Sequence, residues 1–171
     1  MPVFLADLML KKLCRWLRIF GIKCLYAGDL EDYAQEDDEL IRFAIKNKLV
    51  LLTSDELLYA KAKDYVHAVL FKTQDTEKQL VQLMRESRIP LSKDFPSKTL
   101  CPQCNSPLKE VARKKVKGKV FSAVYARHDV FWVCANKKCG KIYWEGTHWN
   151  KIEKTAERVA EEIEKKRRKN K

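Results

Sequence analysis

Over residues 1–90 the apolar positions fall in two alternating rhythms. Short runs at 3–6, 23–26, 49–52 and 66–71 predict strands, the first of them buried, and the continuous apolar Leu49-Val50-Leu51-Leu52 suits a central parallel one. Between them the spacing becomes helical. Leu13, Trp16, Leu17 and Phe20 recur at i, i+3, i+4 and i+7, a core-facing stripe, while Lys11, Arg15 and Arg18 occupy another face. Gly21 stops that helix. A second stripe, Leu40, Ile41, Ala44 and Ile45, follows Glu36-Asp37-Asp38-Glu39, whose charges suit a helix N-terminus. Third and fourth helices are expected from Asp55 to about residue 63 and over 75–86. This alternation predicts an α/β fold, a mostly parallel sheet with helices on both faces, over residues 1–90.

Beyond residue 90 the rhythm breaks. Pro90 and Pro96 mark a linker at 91–99. A small module at 100–149 follows, with a basic insert (KEVARKKVKGK) and strand-like alternation over 120–133. Residues 150–171 read as a solvated basic helix whose end frays. No apolar run approaches the ~18 residues of a membrane span. The N-terminus lacks the pattern of a secretory signal, so a cytoplasmic location is expected.

Cysteine spacing explains the small module. Cys101-Pro-Gln-Cys104 and Cys134-Ala-Asn-Lys-Lys-Cys139 are two thiolate knuckles, and together they suit one tetrahedral Zn²⁺ with no open position, hence a structural ion in a zinc ribbon. Cys14 and Cys24 read as small buried hydrophobes. His67, His128 and His148 read as ordinary surface or strand histidines.

Charge divides the chain at the same place. Basic and acidic side chains balance over residues 1–90, and the whole net charge of +12 lies in residues 91–171. A neutral part joined to a strongly basic one suggests a polyanionic partner, most simply nucleic acid. Lys114, Lys115, Lys117, Lys119 and Arg127 are candidate phosphate binders in the ribbon, and Arg15 and Arg18 near the first strand. Tyr143, Trp144 and Trp149 could stack on bases, although packing of the ribbon's small core is the simpler reading.

Ligand sites in parallel sheets lie outside the carboxyl ends of the strands. Asp7 and Asp55 fall there, and Asp38 opens the second helix. Each could be a helix cap. Gathered at one sheet edge, the three would repel one another unless a cation compensated, and all-oxygen ligands suit Mg²⁺ or Mn²⁺. Asp37 is the obvious substitute for Asp38, and Asp29 and Asp32 are weaker candidates.

The segments FLADLMLKKLCRWLRIFG, DDELIRFA, VLLTSD, CPQCNSPL and CGKIYWEGTHW, in that order, resemble the PIN-like ribonuclease family named for the Mut-seven C-terminal region. The resemblance covers residues 3–149. It implies a PIN-like nuclease domain joined to a zinc ribbon, and RNA hydrolysis by Mg²⁺ or Mn²⁺ held at Asp7, Asp38 and Asp55. Many PIN nucleases carry a further helical glutamate between the first two positions. Here the nearest acids, Glu31 and Glu36, lack helical context. The expectation is thus a cytoplasmic metal-dependent ribonuclease acting on RNA, with the ribosome or tRNA as possible partners. A non-catalytic RNA-binding or ribosome-associated module is the alternative. No G-x-G-x-x-G follows the first strand, which disfavours a dinucleotide enzyme.

Overall fold

A computed structural model describes residues 1–30, 36–91 and 98–169. The candidates Glu31 and Asp32, and the centre of the expected linker at 92–97, lie outside the described residues.

The chain forms an α/β fold on a four-stranded parallel sheet. Its strands are β1 (Phe4–Ala6), β2 (Cys24–Tyr26), β3 (Val50–Thr53) and β4 (Ala68–Leu70), in the order β2-β1-β3-β4. Phe4 stands opposite Cys24 on one side and Val50 on the other. The crossovers carry α1 (Lys11–Ile19), α2 (Asp37–Lys46), α3 (Glu56–Ala62) and α4 (Thr76–Glu86). The two central strands are buried throughout, which is why they read as unbroken apolar runs.

Successive strand residues point to opposite faces. Phe4, Ala6 and Leu52 therefore join Leu13 and Leu17 of α1 and Leu80, Leu83 and Met84 of α4 in one core. Leu5 and Leu51 join Leu40, Ile41 and Ala44 of α2 and Leu58 and Ala62 of α3 in the other. Cys14 and Cys24 are buried in the first core, as expected.

A three-stranded antiparallel sheet builds the ribbon from β5 (Leu108–Ala112), β6 (Val130–Cys134) and β7 (Ile142–Tyr143), in the order β5-β6-β7. Two local expectations change here. The basic insert supplies strand β5 and a 3-10 turn, Arg113–Val116, whose Val116 is buried. Part of the stretch expected to alternate as a strand is instead a short helix, α5 (Ser122–Arg127), with no buried residue, and β6 begins only at Val130. The alternation in 120–127 never faces a sheet, so nothing holds it extended.

The C-terminal helix α6 (Thr147–Lys169) is docked rather than solvated. Ala156, Val159 and Ile163, at i, i+3 and i+7, enter the α1–α4 core. Arg158 of α6 pairs with Glu77 of α4 through two contacts, Nη2 to Oε1 at 2.5 Å and Nε to Oε2 at 3.0 Å. Among the described residues, no helix is long and apolar enough to cross a membrane.

The ribbon is clamped to the first domain. The Leu100 N–H donates to Arg18 O at 2.9 Å, and the Thr99 hydroxyl donates to Ile19 O at 2.9 Å. The Asn105 Oδ1 accepts from Cys24 N at 3.2 Å. Gly21, at φ +77°, lets the chain pass so close that a Cβ there would lie 2.6 Å from Lys98 O.

Candidate active site and metal centre

Asp7 directly follows β1, and its own N–H donates to Leu52 O of β3 at 2.9 Å. Asp7 as a residue is only 8% exposed. Oδ1 accepts from Leu8 N at 2.5 Å, and Oδ2 accepts from the Thr53 hydroxyl at 2.8 Å. Thr53, fully buried at the end of β3, accepts in turn from Asp55 N at 2.9 Å. One hydroxyl thus joins the turns that carry Asp7 and Asp55. Asp55 caps α3, its Oδ1 accepting from Leu57 N at 2.7 Å and Leu58 N at 3.1 Å, while its Oδ2 accepts no hydrogen bond from the described residues. The capping role weighed from the sequence is therefore real for both aspartates, and each keeps unused lone pairs.

Asp38 stands in the first turn of α2, exposed, and accepts no hydrogen bond from the described residues. It lines a shallow cavity of about 600 Å³ between α2 and α3, together with Arg42, Lys61 and Asp64. Its neighbour Asp37 is already engaged, receiving Lys61 Nζ at 2.7 Å. That hydrogen bond, reinforced by the charges of Asp37, Asp38 and Asp55, raises the Lys61 pKa above its ordinary value. Lys61 is thus the cation that this acidic rim holds. Asp29 is spent elsewhere, 3.5 Å from the Arg18 guanidinium. Glu36 precedes α2 and is exposed, outside helical context as expected.

The oxygens of Asp7, Asp38 and Asp55 do not all lie within 4.8 Å of one another. Each carboxylate is instead served by local partners or solvent, the arrangement that mutual repulsion favours between like charges. The donor set is hard oxygen throughout and fits Mg²⁺ or Mn²⁺ better than zinc. The Ser54 hydroxyl, between Thr53 and Asp55 in sequence, is buried with no hydrogen-bond partner among the described residues. An uncompensated polar atom of this kind is costly and rare. Sequence reasoning missed both Thr53 and Ser54. The T-S-D step at a strand end was the available signal.

Exposed apolar side chains edge the same mouth. Leu8 and Met9 follow Asp7, and Leu57, 74% exposed, lies two residues after Asp55. The Tyr26 hydroxyl donates to Leu8 O at 3.0 Å, with Lys11 Nζ 5.3 Å from the centre of its ring. Partial burial, then the charges of Asp29 and Asp7, raise the Tyr26 pKa.

The cysteines converge. Among the described residues, Cys101, Cys104, Cys134 and Cys139 are the one group of three or more metal-ligating side chains whose ligand atoms all lie within 4.8 Å of one another. Cys101 and Cys139 sulfurs are 3.7 Å apart, and those of Cys104 and Cys134 are 3.3 Å apart. Four sulfurs so placed could hold a structural metal such as zinc. Tyr143 presents its hydroxyl to Cys101 Sγ at 3.1 Å.

The basic candidates separate by burial. Lys114, Lys115, Lys117, Lys119 and Arg127 are exposed, and none forms an ion pair among the described residues. Arg15 is exposed on α1. Arg18 departs from expectation. It is 3% exposed, and its guanidinium donates to Cys24 O at 2.8 Å and to Pro102 O and Gln103 O at 3.0 Å each. It ties α1 to the first knuckle and has no face left for a phosphate. The helical pattern put Arg18 on a charged face with Arg15, but that face is covered by the ribbon.

The family model described as the Mut7-C RNAse domain matches residues 2–156. No curated protein and no solved structure matches the chain.

Proposed function

The chain belongs to the Mut7-C RNAse domain family, and we propose that it hydrolyses RNA phosphodiester bonds at the mouth formed by Asp7, Asp38 and Asp55, with Mg²⁺ or Mn²⁺. The observation that carries this reading is the buried, fixed carboxylate of Asp7, joined through Thr53 to the turn that carries Asp55, at the carboxyl ends of two neighbouring parallel strands. Asp7 would contribute the lone pairs that Leu8 N–H and Thr53 O–H leave unused. Asp55 would contribute its Oδ2, which accepts no hydrogen bond from the described residues. Asp38, with no hydrogen-bond partner among the described residues, would approach from α2. When bound, the ion would neutralise phosphodiester charge and activate water. Lys61 balances the acidic rim until substrate and metal arrive, and Arg15 with the ribbon lysines would hold the RNA backbone. A cytoplasmic setting, where thiols stay reduced, suits the four-cysteine centre. The ribosome or tRNA are partners consistent with so basic a surface.

The test is cleavage of labelled single-stranded RNA and transfer RNA with added Mn²⁺, comparing wild type with Asp7→Asn. Loss of cleavage with RNA binding retained is the expected result. Equal cleavage by both proteins would place the chemistry elsewhere. The second reading is a non-catalytic RNA-binding module. It is favoured by the spread of the three carboxylates beyond mutual 4.8 Å. It predicts RNA binding without cleavage under any divalent metal.

A further inference from the structure

Between the ribbon, the end of α1 and the start of α6 lies a cavity of about 210 Å³ whose lining includes Trp132, Tyr143, Trp144, His148, Trp149 and Ile152. We propose that this cavity is a nucleobase subsite, receiving one unpaired base of a bound RNA strand. The inference rests on the reading of the chain as an RNA-handling protein, but it concerns a site apart from the aspartates.

Size limits the occupant. Drug-sized sites run from about 300 to 1,000 Å³, so this cavity holds a single ring system and excludes a folded peptide segment. Its chemistry selects a flat one. Trp132 and Trp149 stack with ring centres 6.0 Å apart and planes 18° apart, and Trp144 meets Phe131 edge-on at 6.5 Å. These rings are braced before any ligand arrives. Trp149 is further fixed by its indole N–H, 3.1 Å from Glu153 Oε1. The Trp144 indole N–H, in contrast, has no hydrogen-bond partner among the described residues, and His148 is exposed. A base would supply both the face for stacking and an acceptor for that donor.

Charge then distinguishes a nucleotide from a neutral aromatic. Lys151, next to the lining residue Ile152 on α6, is exposed and forms no ion pair among the described residues. The cavity lies on the part of the chain that holds the whole net positive charge, which favours an occupant attached to a polyanionic backbone.

The experiment titrates the zinc-loaded full chain with a short oligoadenylate and with a strand of the same length that is abasic at every position, following tryptophan fluorescence without added Mg²⁺ or Mn²⁺. Quenching that is stronger for the intact strand is expected. Trp144→Ala should weaken intact-strand binding about 5- to 150-fold and leave abasic binding unchanged, with Trp144→Phe between the two. Zinc content and thermal melting establish that both variants are folded. Equal binding of intact and abasic strands, or no effect of Trp144→Ala, would overturn the subsite. Cleavage of RNA with Mn²⁺ is scored separately. Base-dependent quenching without cleavage overturns only the ribonuclease reading, and cleavage without base-dependent quenching overturns only the subsite.

Discussion

The hydroxyl of Thr53 donates to Asp7 Oδ2 over 2.8 Å. Because the same oxygen accepts from Asp55 N at 2.9 Å, its proton can point only at Asp7. Thr53→Val keeps the shape and removes this bridge. The expected cost is about 1–3 kcal/mol from the buried groups left unpaired, measured by urea unfolding. Mn²⁺-dependent cleavage should fall with it, and Thr53→Ser should restore both. Full cleavage by Thr53→Val would show that Asp7 needs no such orientation.

Arg15 and Arg18 lie one helical turn apart and should behave as opposites. Arg18→Ala leaves the buried Cys24 O and the part-buried Pro102 O and Gln103 O without their donor, a loss on the order of 1–3 kcal/mol. Arg18→Lys should not rescue it, because an ammonium cannot reproduce the planar fork. Arg15→Ala should leave the melting temperature unchanged, weaken RNA binding and flatten its salt dependence by about one ion.

Metal removal should be felt beyond the ribbon. Native mass spectrometry is expected to find one zinc per chain, lost in Cys104→Ser. Chelation should unfold the knuckles. Since Asn105 and the Arg18 contacts tie the first knuckle to β2 and α1, it should also lower the melting temperature of the parallel-sheet domain. Unchanged melting after complete zinc loss would contradict this coupling.

The Arg158 guanidinium on Glu77 holds that carboxyl below its ordinary range. A depressed folded pKa gives stability that is present above the unfolded value, near 4.3 for glutamate, and lost as pH falls through the folded one. Arg158→Ala should therefore lower the melting temperature modestly at neutral pH, and the gap to wild type should close as the solution is acidified below about pH 4. A constant gap across that range would assign the effect to packing alone.

Most of the parallel-sheet domain was legible because its two central strands are buried on both faces and its helices on one, so burial writes itself into the sequence as two clean periods. Asp75 and Asp55 announced helix starts by the same local logic. The ribbon was less legible. Its order depends on four sulfurs and few apolar contacts, and the 120–127 stretch carries strand-like spacing with no sheet to pair it. The docked face of α6 was overlooked because Ala156 is small and charged residues surround Val159 and Ile163. At the candidate site, position along the strands pointed to Asp7 and Asp55. The Thr53 bridge, the pairing of Asp37 with Lys61 and the burial of Arg18 are long-range contacts that no local pattern encodes.

Gly21 has one further consequence. With a positive φ and the Lys98 carbonyl 2.6 Å from where a methyl would sit, this position tolerates no side chain while the two modules keep their present mounting. A relative bearing alanine or anything larger there must carry its ribbon at another angle. This one residue therefore serves as a readable marker, across species, of whether the whole assembly is built alike.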